Sequence, residues 1–390
     1  MSESQHSALP SGGRVVIVGG GVVGTSIAFH LALAGHTDVV VIERDRLGEG
    51  ATSKATGGIR QQFSSEVNAR LSHQAVSYFE RFEELVGEPF SFRQHGYLFV
   101  TTSASVLEAA SRGAKMQQQL GIHATVVSPQ EIADLHPRMR VDDLAGGTYC
   151  ATDGSGSPAD VVRAFARQAR RRGVQIRQHT AVLGIECDGG QRVRRVLTSD
   201  GQIDAEVVID AAGPWAAQVA DMVGVSIPLE PRPRQAFAIA PLAWMSADMP
   251  LSVDLDSGAY LHPETSGGVI GGTDRDRAPG FDDTVDESLL ERLITAVTRR
   301  FPNLSDAQVL RGWAGLREMT PDDHAIVGPV DGVPGFWLAA GFSGHGFMHS
   351  PIIGREVSRW LLTGSPELDL SRLAPGRFDA GVLETEGLVF

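Results

Sequence analysis

Three glycines near the start of the chain, Gly19, Gly21 and Gly24, have the spacing that brings a backbone against a diphosphate. They follow an apolar run, Val15 to Val18, and open a segment with helical character. In such a motif the first glycine permits a tight turn, the second lets the backbone approach the phosphates, and the third lets the helix pack closely on the strand. The N-terminus of that helix favours negative charge. These residues therefore predict a site for an adenine dinucleotide.

An acidic residue at the expected distance supports this interpretation. A second apolar run, Val39 to Ile42, ends at Glu43, about twenty residues beyond the last glycine, where a carboxylate can accept the ribose hydroxyls. Arg44 is only a faint argument for NADP, since no arginine run for a 2′-phosphate lies nearby. The motif by itself leaves NAD and FAD open.

The rest of the chain contains no second glycine-rich loop that opens a helix, which argues against a separate nicotinamide domain. A stretch of small residues between positions 50 and 60 fits neither helical nor strand periodicity. Loops of this composition let the backbone run close to a ligand. This stretch is therefore expected to run close to a ligand.

Hydrophobic periodicity and turn residues predict the elements that must position these loops. The predicted helices cover 68–85, 105–120, 158–172 and 287–300, with a last helix through Leu362. The predicted strands include 96–100, three short runs divided by turns at 188–190 and 200–201, residues 207–213, strands around Phe237, Tyr260 and Val269, and 335–341.

This order predicts an α/β fold in which a Rossmann-like, discontinuous nucleotide domain brackets an inserted, mainly antiparallel-sheet α+β substrate domain. The nucleotide domain is expected to comprise residues 14–90, 150–229 and 310–370, and the substrate domain residues 91–149 and 230–309. Residues 1–13 are expected to form a flexible tail.

Composition excludes several classes of function. A length of 390 residues with a net charge of −13 argues against nucleic acid or an anionic membrane as a partner. No run of eighteen or more apolar residues and no signal peptide is present, so a cytoplasmic location is expected. The two cysteines, Cys150 and Cys187, cannot form a disulfide framework, and no residues have the spacing of a metal site.

Several further motifs give the chain a specific resemblance. It resembles the D-amino-acid oxidase superfamily of FAD-dependent amine oxidoreductases, and within it glycine oxidase, sarcosine oxidase and the β subunits of heteromeric sarcosine oxidase and proline dehydrogenase. The resemblance extends from Arg14 to about Gly364 and selects FAD over NAD. Besides the glycine motif with Glu43, it rests on residues 51–62, 211–215, 315–322 and 341–347.

The resemblance implies how FAD, bound without a covalent link, would be held. The segment 341–348 precedes the last helix, so its N–H groups would face the flavin where negative charge accumulates on reduction. The residues implied to contact the cofactor are Gly19, Gly21, Val22, Val23, Gly24, Glu43, Arg44, Thr52, Ser53, Thr56, Gly57, Gly58, Val182, Gly213, Trp215, Gly344, His345, Gly346, Phe347 and Met348.

Three residues are implied to meet the substrate. Arg317 corresponds to an arginine that holds the substrate carboxylate through two parallel hydrogen bonds; the alternative is a surface salt bridge to Glu318 or Asp322. Arg60 matches an arginine near flavin and substrate in the sarcosine oxidases, or is a structural loop residue. Tyr260 resembles a tyrosine of the substrate pocket, although an aromatic side chain in a strand is more often part of a core.

The chain also departs from the pattern of monomeric sarcosine oxidase. Gly315 stands where that enzyme attaches its flavin through a cysteine, which excludes that covalent link. Ile270 takes the place of a lysine that promotes reaction with oxygen, and Met348 that of a second lysine. These differences favour a dehydrogenase over an oxidase.

The function implied is oxidation of an amino acid or N-substituted amino acid by hydride transfer to flavin, giving an imine that hydrolyses. The electrons would pass to oxygen or another acceptor, such as a partner subunit. The alternatives are a peroxide-forming oxidase of the glycine or sarcosine type, a flavin-dependent 2-hydroxy-acid dehydrogenase, a non-catalytic FAD-bound subunit and an NAD-dependent dehydrogenase.

Overall fold

The computed structural model describes residues 13–379, 381 and 383–387, so nearly all of the predicted N-terminal tail lies outside the described residues. The strands are β1 (Val15–Val18), β2 (Val39–Ile42), β3 (Gly58–Ile59), β4 (Tyr97–Thr101), β5 (Ala124–Val127), β6 (Gly146–Cys150), β7 (Gly154–Ser155), β8 (Gln175–Arg177), β9 (Val182–Cys187), β10 (Val193–Thr198), β11 (Gly201–Asp204), β12 (Val207–Asp210), β13 (Glu230–Ile239), β14 (Leu251–Asp254), β15 (Tyr260–Glu264), β16 (Gly267–Gly271), β17 (Val309–Met319), β18 (Ile326–Pro329) and β19 (Phe336–Ala340). The helices are α1 (Val22–Leu33), α2 (Ala51–Lys54), α3 (Glu66–Glu80), α4 (Phe82–Val86), α5 (Ala104–Gln119), α6 (Pro129–Leu135), α7 (Pro158–Arg171), α8 (Ala216–Asp221), α9 (Leu290–Arg300) and α10 (Gly346–Thr363).

A six-stranded sheet in the order β18-β19-β12-β1-β2-β8 forms the first layer, and all its pairs are parallel except β18 with β19. Side chains alternate between the two faces of a strand, and β1, β2, β12 and β19 are buried along their whole length, so both faces of the sheet are covered there. Val15 and Ile17 pack with helices α1, α7 and α10. Val16 and Val18 pack toward the small sheet β11-β10-β9. This arrangement places the carboxyl end of β1 and the first turn of α1 at one edge of the sheet.

An eight-stranded sheet in the order β17-β13-β16-β15-β14-β4-β6-β5 forms the second body of structure. Its pairs are antiparallel except β14 with β4. One face packs on α6 and α9 through an apolar cluster that includes Leu261, Ile270 and Leu293. The opposite face is left for the site described below.

The predicted α/β fold with a mainly antiparallel second sheet is confirmed. The predicted helix over 68–85 is interrupted: α3 ends at Glu80 and α4 begins at Phe82, because Arg81 leaves helical geometry at φ −109° and ψ 19°. The predicted division into domains stays a prediction. The structure does place β17, expected in the nucleotide domain from residue 310 onward, in the eight-stranded sheet, where it pairs with β13 along its length.

Among the described residues, none of the helices combines the length and the apolar character that crossing a membrane requires.

Candidate cofactor and substrate site

The glycine loop folds as its spacing predicts. Each of its three glycines meets a different neighbour at the place where a side chain would begin. Gly19 adopts a φ of +110°, and a Cβ there would lie 2.3 Å from the Ala211 carbonyl oxygen. At Gly24 a Cβ would lie 2.0 Å from the Gly19 carbonyl oxygen, so only glycine lets α1 pack this closely. At Gly21 the nearest atom to a Cβ would be Thr52 Oγ1 at 3.4 Å, and the space beyond is a cavity.

Glu43 and Thr52 hold this loop in place. Glu43 Oε2 accepts a hydrogen bond from the Gly20 N–H at 2.8 Å, and Oε1 accepts one from the Asp45 N–H at 2.9 Å. Thr52 Oγ1 accepts from the Val22 N–H at 3.2 Å. Each carboxylate oxygen keeps a second lone pair, so Glu43 can support the loop and still accept ribose hydroxyls.

A cavity of about 450 Å³ extends from this loop to the free face of the eight-stranded sheet. Twenty-one of the residues predicted from the sequence line it: Gly19, Gly21, Val22, Val23, Glu43, Arg44, Thr52, Thr56, Gly57, Gly58, Arg60, Val182, Gly213, Trp215, Tyr260, Arg317, Gly344, His345, Gly346, Phe347 and Met348. Residues from four distant parts of the sequence therefore meet in one elongated space.

Two predicted contacts do not line the cavity. Gly24 lies beneath the loop, where it serves helix packing. Ser53 is exposed, and its hydroxyl donates to the Glu49 and Gly50 carbonyls at 2.7 and 3.2 Å. Successive residues in a helix point about 100° apart, so the one-turn helix α2 that turns Thr52 inward turns Ser53 away.

The far end of the cavity is bounded by one face of the eight-stranded sheet. Arg317 pairs with Arg232 across β17 and β13, Ala236 pairs with both Trp313 and Gly271, and Gly271 pairs with Tyr260. Because opposite partners share a face and side chains alternate, these residues project to the same side. The cavity-lining residues of this face are Arg234, Ala236, Leu251, Val253, Tyr260, Tyr97, Trp313, Gly315 and Arg317.

Arg317 lies against the loop that leads into α10. Gly344 has a φ of +93°, and a Cβ there would lie 3.0 Å from both Cδ and Nε of Arg317. The alternative of a salt bridge to Asp322 is not what the structure shows, because Asp322 pairs with Arg377 at 2.7 Å. Glu318, the next residue of the strand, turns toward Gly213, where a Cβ would lie 3.6 Å from its Oε2. Arg317 is thus positioned at the cavity.

Tyr260 and Tyr97 contribute hydroxyl groups to the same region. Burial raises the pKa of Tyr260 to about 12, so the phenol stays protonated. The Tyr97 hydroxyl lies over Gly58, where a Cβ would be only 1.9 Å away. Burial also raises the pKa of Tyr97, and the charges of Arg60 and Arg317 oppose this increase. Both phenols are therefore neutral hydrogen-bonding groups.

Arg60 and His345 form a buried pair beside the start of α10. Arg60 donates to the Gln62 carbonyl and, from its second terminal nitrogen, to His345 Nε2 at 3.2 Å. The guanidinium also lies 3.9 Å from the centre of the Phe63 ring. Burial, together with the charge of Arg60, holds the pKa of His345 far below its usual value. Since an arginine only donates, His345 is neutral with Nε2 as its acceptor.

The first turn of α10 is directed at the cavity. His345 is the N-cap of this helix, and Gly346, Phe347 and Met348 form the turn and line the cavity. The first N–H groups of a helix have no intrahelical acceptor and favour negative charge. The predicted loop therefore presents backbone N–H donors to the cavity, where acceptor atoms of a cofactor could bind.

The structure changes the reading of two departures from the sarcosine oxidase pattern. Ile270 does not line the cavity; it is buried on the side of the sheet that packs on the helices, and Gly271, opposite Tyr260, lies on the other face of β16. That Ile270 takes the place of the lysine stays a prediction. A Cβ at Gly271 would lie 2.6 Å from Tyr260 Oη, so the tyrosine covers this position.

The other departure concerns Gly315. A Cβ there would lie 2.4 Å from Cβ of Lys54, a cavity-lining residue of α2. The backbone of Lys54 is fixed by the Trp313 indole N–H, which donates to its carbonyl at 3.0 Å. The cavity thus contains a lysine that the sequence reasoning did not consider.

Other cavity residues were also missed from the sequence. Tyr97, Arg234 and Asp274 line the substrate end, and Glu318 lies beside Gly213. Burial raises the pKa of Glu318 to about 7. The strand pattern placed Tyr97 on an element but gave no signal of which face meets the cavity.

The residues present fit an FAD molecule. The Gly21 backbone leaves open space where a diphosphate would approach, and the cavity runs from Glu43 to the N-terminus of α10. The Arg44 guanidinium stacks on Trp215 with its carbon 3.7 Å from the ring centre, which forms a wall beside the predicted adenosine end. Over residues 14–360 the sequence matches the family described as DAO, FAD dependent oxidoreductase.

The chain belongs to the DAO family of FAD-dependent oxidoreductases. This DAO-family chain is 31% identical to the mitochondrial dimethylglycine dehydrogenase of Rattus norvegicus, over 94% of its own length and 45% of that protein. Among solved structures it is similar to L-proline dehydrogenase from P. horikoshii, with a TM-score of 0.90, 32% identity and coverage of 96% and 100% of the two chains. Glycine oxidase from Geobacillus kaustophilus gives a TM-score of 0.83 at 26% identity, covering 94% and 98%.

The DAO-family chain spans about half the length of the first curated relatives it matches. FAD is the cofactor that this family uses, so the choice between NAD and FAD is decided in favour of FAD. The named relatives include both dehydrogenases and oxidases.

Proposed function

We propose that this chain oxidises an amino acid or N-substituted amino acid whose carboxylate binds to Arg317. The observation that carries the proposal is the position of Arg317 on the cavity-facing side of β17, against Gly344 and beside the first turn of α10. A guanidinium can hold a carboxylate through two parallel charge-assisted hydrogen bonds, which fixes the orientation of the rest of the molecule. The names of the relatives, dimethylglycine dehydrogenase and glycine oxidase, support this substrate class.

Bound FAD would supply the acceptor for a hydride. A hydride would leave the carbon next to nitrogen while the nitrogen lone pair forms the C=N bond, and the resulting iminium ion would lose its N–H proton. Water would then hydrolyse the imine to a carbonyl compound and ammonia or an amine. The residues of this chain contribute mainly by positioning the substrate, which removes much of the entropic cost of reaction.

The surroundings of Arg317 favour the unprotonated amine that this reaction needs. The charge of Arg317 acts on Arg60, Arg234 and Arg275 and opposes the charged form of each. The same positive potential opposes an ammonium group on the substrate. Leu251 and Val253 provide apolar surface in the same cavity and limit the water within it.

The test is the variant Arg317→Met, prepared with its FAD and assayed anaerobically by bleaching of the flavin absorbance with amino acids and N-methyl amino acids. Removing two charge-assisted hydrogen bonds of ~1.5–3 kcal/mol each predicts a loss of roughly a hundredfold or more in kcat/KM. Arg311→Met is the matched control, because Arg311 lies on the same strand and is exposed over Trp313. If Arg317→Met retains full activity, the carboxylate binds elsewhere.

The same assay separates the alternatives. A 2-hydroxy acid that bleaches the flavin when no amine does would replace the amine substrate, and bleaching by neither class would favour a non-catalytic FAD-bound subunit. We favour a dehydrogenase over an oxidase, since strand β16 contains no lysine. Reoxidation by oxygen that is much faster than that of free flavin would overturn this preference. The variant Lys54→Met would show whether Lys54 contributes to the rate of this reoxidation.

A cytoplasmic location and association with other subunits also remain proposals.

A further inference from the structure

A second arginine, Arg234, faces the same cavity from the neighbouring strand. Arg317 pairs with Arg232, and Arg234 pairs with Gly315, so Arg234 is the diagonal neighbour of Arg317 on one face of the sheet. Diagonal neighbours on an antiparallel pair lie ~7–8 Å apart, within reach of long side chains. Gly315, opposite Arg234, has no side chain, and the Lys54 side chain packs against it from the cavity.

Hydrogen bonds fix one terminal nitrogen of the Arg234 guanidinium, and another N–H donor of the same group remains unsatisfied. One terminal nitrogen donates to the Pro233 carbonyl at 2.8 Å and to the Asp274 carbonyl at 3.3 Å. Its buried Nε has no hydrogen-bond partner among the described residues. An unsatisfied buried donor is costly, so an acceptor in the cavity would stabilise this arrangement.

Burial and the charge of Arg317 lower the pKa of Arg234 to about 10, and the Asp274 carboxylate opposes this decrease. Arg234 is therefore still charged at neutral pH. Asp274 is itself fixed, because its Oδ2 accepts a hydrogen bond from the Gln235 N–H at 2.6 Å. Arg234 is thus a positioned cation rather than a mobile surface side chain.

We propose that Arg234 is a second carboxylate-binding residue, and that the preferred substrate is an amine that carries two carboxylates. This inference rests on the proposed function, in which Arg317 binds the first carboxylate. The class includes N-(carboxymethyl) amino acids and amino dicarboxylic acids. An amine with a single carboxylate cannot form an ion pair with Arg234, so we expect it to bind less tightly than an amine with two.

The experiment compares matched pairs of amines that differ by one carboxylate: N-methylglycine with N-(carboxymethyl)glycine, and alanine with aspartate. Anaerobic flavin bleaching by the holoenzyme gives the affinity and the rate for each. A second carboxylate on the half-buried Arg234 guanidinium is expected to tighten binding of the dicarboxylate by about 10- to 100-fold in at least one of the two pairs. Arg234→Met is expected to remove that difference between the dicarboxylate and the monocarboxylate, and Arg234→Lys to retain part of it.

Arg232→Met is the matched control. Arg232 lies two residues away on the same face of β13, but it pairs with Glu230 at 2.9 Å and does not line the cavity. A second measurement needs no turnover: perturbation of the flavin spectrum by malonate and by acetate. Malonate is expected to bind more tightly than acetate, and only Arg234→Met and Arg317→Met are expected to reduce that preference strongly.

The outcomes distinguish this inference from the proposed function. If no amine bleaches the flavin but malonate binds more tightly than acetate through Arg234, the proposed oxidation fails and the second carboxylate site stands. If amines bleach the flavin with no preference for dicarboxylates, or if Arg234→Met leaves the preference unchanged, the inference is overturned and the proposed function stands.

Discussion

The variant Gly24→Ala tests whether the packing of α1 on β1 sets the affinity for FAD. The added Cβ would lie 2.0 Å from the Gly19 carbonyl oxygen and 3.3 Å from Cγ2 of Ile17. An ordinary carbon–oxygen contact is ~3.3 Å or more, so the first turn of α1 must move by about 1 Å. Such overpacking costs ~1–3 kcal/mol in the free energy of unfolding.

The same shift displaces the N–H groups of the loop from the diphosphate. Loss of one charge-assisted hydrogen bond of ~1.5–3 kcal/mol weakens FAD binding by roughly 10- to 100-fold. The Kd is measured by quenching of flavin fluorescence on titration of apoprotein, and stability by urea unfolding of the apoprotein. Gly189→Ala is the matched control, because no atom lies within 4 Å of a Cβ at that position. An unchanged Kd in Gly24→Ala would refute the proposed role of this close packing.

Three further predictions concern the loop and the stability of the fold. Glu43→Gln replaces one of two acceptors for backbone N–H groups; we expect about tenfold weaker FAD binding in the same titration, and an equal Kd would contradict this. Asp322→Asn breaks the buried pair with Arg377 and leaves its charge uncompensated; urea unfolding should show a loss of ~3–5 kcal/mol, and a loss below ~1 kcal/mol would count against it. His30 and His136 have pKa values lowered to about 4, mainly by burial, so the unfolded chain binds more protons below pH ~6.5. Each should then reduce stability by up to ~1.4 kcal/mol per pH unit as the pH falls from ~6.5 toward 4, and equal urea midpoints at pH 7.5 and 5 would contradict this.

The cofactor end of the site could be predicted because its determinants are local. Gly19, Gly21, Gly24 and Glu43 lie within one βαβ unit, where the spacing of a few residues fixes a turn, a helix start and an acceptor. Even there the sequence did not resolve single side chains. Ser53 was predicted to meet the cofactor, but α2 turns it toward Glu49, because neighbouring helical residues point in different directions.

The substrate end depended on strand register, which the sequence leaves open. A shift of one residue moves every side chain to the other face of a sheet, and the sequence did not show that Ile270 faces the helices while Gly271 lies on the face of Tyr260. Lys54 and Tyr97 reach the cavity from elements far from Arg317 in the sequence, so no local pattern connects them.

The sequence by itself determined the βαβ unit and, through its family motifs, the choice of FAD, and it named Arg317, which the structure places in the cavity, since these depend on short motifs. Only the tertiary structure decided that Arg234 shares the cavity with Arg317. That relation arises from the antiparallel pairing of β13 with β17. Strands β14, β15 and β16 and helix α9 lie between these two strands in the chain. Hydrogen bonding between strands distant in sequence sets which side chains share a face, and no pattern within either strand records it.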